Sequence, residues 1–416
     1  MAKILTIEGP AAVPEGEIRP RRIEIDLSTG LTRRVSAPEG RADLVLGAGA
    51  VIFPGLIDFH VHAREDSTGR DVYKEDFRSC GAAAIQGGVT AVVDMPNNPR
   101  PPIDDESYRA KVELASRSPV DVLLYAGIGP RTSPLSRPVP YKVYMGPSVG
   151  DLYFESESAL REALERYRCQ WVGFHAESPE VLRERKDRST HAERRPAEAE
   201  VRAVELALRL AGEIGFEPHI CHLSTSGGME AIRAARRRGI QATCEVTQHH
   251  LFFSLEDIER DPRCGFFQCN PPIRPHEDRD ALLDAFRRGE IDFLASDHAP
   301  HSLAENERGI SGIPHLDTSG PFLFWLRERG IPWDVLRRTA AERPGAVFSR
   351  FSGEKRGRIE EGHVGSFTIL DTKRPVSIRR SMLKTRAGWS PFEGRAFSGR
   401  VSHTIVRGAV YEPAAE

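Results

Sequence analysis

No apolar run in the 416 residues approaches the ~20 that a membrane helix requires, which argues against a helical membrane span. An excess of one charge is lacking too. Lys and Arg number 58 against 60 Asp and Glu, a formal net charge of −2, whereas a dedicated nucleic-acid or polyanion binder carries a basic surplus. Cysteine is sparse, with positions 80, 169, 221, 244, 264 and 269 containing no Cys-x-x-Cys pair. A chain this long needs no covalent staples, so the thiols read as reduced and mostly buried. The opening MAKILTIEGPAAVPEGE has no apolar region followed by a cleavage site, which makes the cytoplasm the expected compartment. Low-complexity tracts and long internal repeats are also absent, and the charged run RERKDRSTHAERRP reads as a solvated face. At 39% hydrophobic and 28% charged, the composition is that of a globular chain with room for one large core and a second, smaller one.

The two ends share one pattern. RRIEIDLSTG and RADLVLGAGAVIF near the start, like GRIEEGHVGSFTILD and GRAFSGRVSHTIVRGAVYE near the end, alternate short β-branched runs with Gly-rich turns. Residues 1–54 and 351–416 are therefore expected to form a joint β module, since termini often meet in a folded chain. Between them, over 55–350, the order becomes apolar strand, polar turn, amphipathic helix, Gly and strand again. In VRAVELALRLAGEIGFEPHICHLS, Val201, Val204, Leu208 and Ala211 recur at helical spacing, Gly215 can cap the helix, and His219 to Leu223 reads as a strand. Candidate strands lie near 55–60, 90–95, 122–127, 139–145, 171–175, 218–223, 240–246 and 292–297. Eight such strands predict an α/β fold, a (β/α)8 TIM-type barrel beside the small terminal β module.

Polar residues interrupt these strands at one end. In LIDFHVHARED, His60 and His62 are two apart, which puts both imidazoles on one face of a strand and Val61 on the other. Imidazole is the commonest neutral nitrogen ligand of zinc-like cations, though a lone His-x-His often arises by chance. Lys142 interrupts PYKVYMG, His175 ends WVGFHAES and His222 ends HICHLS. Asp297 follows the apolar strand of FLASDHAPH, where an acid is costly without a charged partner, and a metal would supply one. Singly each has an ordinary structural explanation. Together, four histidines, a lysine and an aspartate at the same end of five strands point to a shared site at the catalytic face of a barrel.

Taken in order, DFHVHARED, MPNN, YKVYMG, HAE, HICHLST, CEVTQHHL, NPPIR and SDHAPH resemble the motifs of the amidohydrolase superfamily and, within it, of the dihydroorotase branch. The resemblance runs from about Val51 to the tail and implies a (β/α)8 barrel with a small β-sandwich built from both termini. It implies two divalent cations, zinc first among candidates that include cobalt and manganese. His60, His62 and Asp297 would hold one, His175 and His222 the other, with an N-carboxylated Lys142 as the bridge. Arg64 would clamp a substrate carboxylate with Asn97 and His301 as partners, Asn270 would contact a pyrimidine ring, and GISGIPHLDTSGP would form a mobile lid. The implied activity is reversible hydrolysis of the cyclic amide of (S)-dihydroorotate to N-carbamoyl-L-aspartate, in de novo pyrimidine synthesis. A metal-bridging hydroxide would attack, and Asp297 would serve as general acid and base.

The sequence departs from the family pattern in places. Arg64-Glu65-Asp66-Ser67 stands where Arg-Glu-Pro-Gly is usual, Gln248 replaces a Pro, and His315 and Asp317 replace Gly and Glu in the lid. A hydantoinase-, dihydropyrimidinase- or allantoinase-type activity stays open as an alternative, as does a non-catalytic subunit role. Arg64 discriminates among the enzymes, because ring substrates without a carboxylate have no use for it. A small-molecule substrate is expected, with no nucleic acid or membrane, and homo-oligomerisation or assembly with aspartate transcarbamoylase stays open.

Overall fold

A computed structural model describes residues 3–13, 17–146 and 152–414. Eight parallel strands follow one another around a ring. They are β1 (Leu56–Val61), β2 (Val89–Asp94), β3 (Asp121–Leu124, continued after Tyr125 by Ala126–Ile128), β4 (Tyr141–Tyr144), β5 (Trp171–His175), β6 (Glu217–Ile220), β7 (Thr243–Thr247) and β8 (Phe293–Ala295). Each pairs in parallel with the next, β3 reaching β2 through its first half and β4 through its second. Past the end of β8, His298 bridges Val61 in parallel, and the His62 N–H donates to the His298 carbonyl at 2.8 Å. These contacts join the last strand to the first. The fold is the expected α/β TIM-type barrel, and all eight anticipated strands are present.

The helices cover the outside for the reason the periodicity suggested. Ala197–Ile214 buries Val204, Leu208 and Ala211 along one stripe, and Gly215 ends it at φ +89°, a left-handed position open to glycine at little cost. Val201 is only half-buried. Two strand ends differ from expectation. β6 stops at Ile220 and β8 at Ala295, so His222 and Asp297 sit on the turns that follow, at φ +35° and +49°. A turn in the left-handed region re-aims a side chain that a continued strand would point up or down the wall.

The terminal strands join into one continuous eight-stranded sheet. Ile4–Ala12 pairs with Ile18–Asp26 and Ala50–Pro54, and the last of these pairs antiparallel with Phe367–Asp371 from the other end of the chain. Its core holds Ile7, Ile23, Ile25, Ile52, Phe367, Ile369 and Ile405. Positions 1–2, 14–16 and 415–416 of the anticipated β module lie outside the described residues. Among the described residues, no helix is long and apolar enough to cross a membrane.

The barrel interior is filled by Ile57, Phe59, Val93, Tyr125, Trp171 and Phe293. The Phe59 ring lies 5.1 Å from Phe293 and 5.5 Å from Trp171. The pairing of β1 with β2 shifts register between Asp58 and Val61. Such a bulge resets the in-out alternation, so that His60 and His62 face the barrel mouth although Phe59 already faces its interior. Phe59→Ala is expected to cost about 3–5 kcal/mol, since the surrounding rings relax only partly into the space left behind. Chemical denaturation followed by tryptophan fluorescence measures this.

Candidate active site

The ends of β1 and β5 and the loops after β1, β2, β6, β7 and β8 deliver side chains to one cavity of about 450 Å³. His60, His62, Arg64, Asn97, His175, His222, Asn270, Asp297 and His301 all line it, so nine of the ten anticipated residues share one pocket. The tenth, Lys142, lies fully buried in β4, and its charge bears on His60, His62, His222 and Asp297. Its Nζ finds no hydrogen-bond partner among the described residues, which is costly for a buried ammonium.

The Asp297 carboxylate is the meeting point. Its Oδ1 lies 3.2 Å from His60 Nε2 and 3.0 Å from His62 Nε2, although His62 and Asp297 are 235 positions apart. The tautomers follow from what stands behind each ring. His60 Nδ1–H donates to Glu245, and His62 Nδ1–H donates to Asn97 Oδ1 at 2.7 Å. Both Nε2 atoms then turn a lone pair toward one carboxylate oxygen. Ring protonation does not relieve this, because burial holds both imidazoles below their ordinary range, His60 even against the pull of Glu245 and His62 further with Arg64 nearby. A cation between the three donors does relieve it, and their donor atoms lie within 4.8 Å of one another.

A second pair faces them. His175 Nδ1 and His222 Nε2 are 2.8 Å apart, and the His222 ring centroid lies 5.2 Å from that of His60. His175 Nε2–H donates to Glu177 at 3.1 Å, and Glu177 is in turn paired with Arg195. Burial alone would raise the Glu177 carboxyl, but Arg195 and His175 hold it at about 2. His222 Nδ1 is buried without a hydrogen-bond partner among the described residues. Burial raises the Asp297 carboxyl above the ordinary aspartate range, with His60 and Lys142 pulling the other way.

Arg64 stands at φ +62°, buried at 7% exposure. Its Nε donates to the Pro300 carbonyl at 3.3 Å and its Nη2 reaches His301 Nε2 at 3.1 Å. The neighbouring acids are committed elsewhere. Glu65 takes Arg117 and the Phe77 N–H, while Asp66 takes the Arg100 and Thr68 N–H groups. Among the described residues Arg64 has no carboxylate partner, so a guanidinium faces the cavity without its counter-ion. Asn97 lines the pocket beside Arg64 and His301, and its Oδ1 accepts from His62 Nδ1–H. The loop Gly309 to Gly312 also lines the cavity, tied down where the Gly312 N–H meets the Gln268 carbonyl at 2.9 Å and the Ala299 N–H meets the Ile313 carbonyl at 3.2 Å.

Sequence reasoning passed over Glu245, which organises the site from behind. It is fully buried in β7, takes His60 Nδ1, His219 Nε2 at 3.1 Å and the His222 N–H at 3.1 Å, and so orients a residue from each of two donor pairs. Burial would raise its carboxyl, yet His60 and His219 hold it well below the ordinary range. The signal was an acid inside the apolar run of CEVT, the same kind that marked Asp297. Tyr144, two places after Lys142 and on its face of β4, also lines the cavity.

The sequence profile of the amidohydrolase family matches residues 51–133. The dihydroorotase of Thermococcus kodakarensis is 34% identical over 409 residues, covering 96% of this chain and 92% of that protein. The dihydroorotase of Pyrococcus furiosus is 34% identical over 393 residues, covering 93% and 88%. The chain belongs to the dihydroorotase family, within the amidohydrolases. Among solved structures, L-hydantoinase (dihydropyrimidinase) from Arthrobacter aurescens superposes with a TM-score of 0.88 at 24% identity, covering 100% of this chain and 97% of that one. Dihydropyrimidinase from Brevibacillus agri gives 0.83 at 20%, covering 98% and 95%. These likenesses are of fold. The amidohydrolases generally bind divalent metals, and the His60, His62 and Asp297 group is a donor set of that kind in this family member.

Glu245→Gln keeps the shape of the carboxylate but removes the charge that fixes the His60 tautomer. It is expected to weaken retention of divalent metal by about 10–100-fold, as loss of an outer partner does at other metal centres. Competition with a chelator reads this directly.

Proposed function

We propose that the chain catalyses the reversible hydrolysis of the ring amide of (S)-dihydroorotate to N-carbamoyl-L-aspartate, the dihydroorotase step of pyrimidine synthesis. The observation that carries this reading is Arg64, a buried guanidinium facing the pocket with no carboxylate in ion-pair contact among the described residues. Dihydroorotate brings a carboxylate to that place. Hydantoin, dihydrouracil and allantoin do not.

The residues fit two divalent cations, zinc foremost. His60, His62 and Asp297 would hold one and His175 and His222 the other, with Lys142 between them as its N-carboxylated form. Carboxylation suits Lys142 because it replaces an unpartnered buried ammonium with an anion offering two oxygens. Such cations supply Lewis acidity, lowering the pKa of water toward neutrality and polarising the amide carbonyl.

The chain's own residues do the rest. The forked guanidinium of Arg64 fixes the substrate carboxylate in two places, with His301 at its side, and so fixes the ring relative to Asp297. Asn270, which also lines the pocket, would meet the amide edge of the pyrimidine. Asp297 Oδ accepts the proton of the attacking water and returns it to the ring nitrogen as the C–N bond breaks. Its carboxyl, raised by burial, is the better proton carrier for it. In the synthetic direction the same oxygen protonates the hydroxyl that leaves on ring closure. The Gly309 to Gly312 loop covers the pocket and limits water to the reacting face.

Asp297→Asn is expected to retain divalent metal, held by the histidines, while dihydroorotate turnover falls by at least about a hundredfold. Metal analysis and turnover on one preparation check both halves. Arg64→Met is expected to cost about 2–5 kcal/mol in kcat/KM for dihydroorotate, leaving metal content unchanged. Wild type is expected to prefer dihydroorotate over hydantoin, dihydrouracil and allantoin, and a preference for any of those three would favour the hydantoinase-type alternative.

A further inference from the structure

A second group of donors lies against the wall of the pocket, outside the set assigned to the reaction. The short helix Gln248–Phe252 after β7 carries His249 and His250, and the turn before Asn270 carries Cys269. Exposure of the three is 1%, 3% and 1%. One donor atom from each lies within 4.8 Å of the others, while the donors of a tetrahedral zinc-like centre stand roughly 3.5 Å apart, so the cluster needs only a small contraction to close.

The hydrogen bonds around these rings leave donors free. His249 Nδ1 pairs with His315 Nε2 at 2.9 Å, while His249 Nε2 is buried with no partner among the described residues. An imidazole held through one nitrogen, with the other empty in the interior, has the arrangement of a metal ligand with its outer partner in place. His250 Nε2–H donates to the Pro271 carbonyl at 3.1 Å, so its Nδ1 keeps the lone pair, which the Thr247 hydroxyl meets at 2.8 Å. A hydroxyl can rotate away from it. Cys269 also lines the active-site cavity, which gives a cation a route from solvent.

We propose that His249, His250 and Cys269 form a separate binding site for a thiophilic divalent cation of the zinc class, with His315 as the outer partner of His249. On binding, the Cys269 thiol gives up its proton to solvent and the sulfur lone pair forms the bond to the cation, so one proton is released and nothing is oxidised. Cys269 adjoins Asn270, so occupancy fixes the turn that carries a proposed substrate contact.

The site is separable from the centre at His60, whose proposed donors are nitrogen and oxygen only. Metal-free protein reloaded with cobalt(II) is expected to develop a thiolate-to-cobalt charge-transfer absorption in the near ultraviolet. That absorption disappears in Cys269→Ser and persists in Cys221→Ser, the other buried thiol near His60. In His249→Gln it requires about tenfold more cobalt or beyond. Its absence from the wild-type protein, or its survival in Cys269→Ser, overturns the proposal. Turnover is not the readout, so the result stands whatever the substrate proves to be.

Discussion

Asp297 is a carboxylate taken out of water and set between two imidazoles that both point a lone pair at it. That arrangement is unstable by itself, and the surrounding structure exists to hold it. Glu245 behind His60 and Asn97 behind His62 fix the tautomers that create the conflict. Burial keeps the rings from resolving it by protonation. The consequence is a place where positive charge is wanted, at the mouth of a barrel whose aromatic interior gives the rings above it little room to move.

Positive charge is also spent on the other side of the pocket, in the opposite sense. Arg64 is a fixed cation in want of an anion, while the His60, His62 and Asp297 cluster is a fixed set of donors in want of a cation. A substrate with a carboxylate at one end and a hydrolysable amide at the other spans the two. The left-handed turns at Arg64 and Asp297 aim the two halves into the same pocket.

Much of this was legible beforehand because it depends on local pattern. Alternating apolar runs and Gly-ended helices located all eight barrel strands, polar residues at their ends located His60, His62, His175, His222 and Asp297, and the family motifs located Arg64, Asn97, Asn270 and His301. What stayed hidden depends on pairing across the fold. The bulge in β1 and the left-handed turns that end β6 and β8 have no signature in alternation, so His222 and Asp297 read as strand residues. Glu245 was quoted within a motif yet not recognised, because its meaning comes from His60 and His219, 185 and 26 positions away. That Asn97 stands behind His62 was likewise a question of spatial packing.

Lys142 is the residue through which the metal reading and the reaction stand or fall together, since its buried Nζ has no hydrogen-bond partner among the described residues. The most direct measurement is divalent metal content together with dihydroorotate hydrolysis, on the purified protein and on Lys142→Ala. About two equivalents of metal with turnover in the first, and loss of both in the second, is the predicted result. Undiminished turnover in Lys142→Ala, or in wild-type protein freed of metal, would contradict the account.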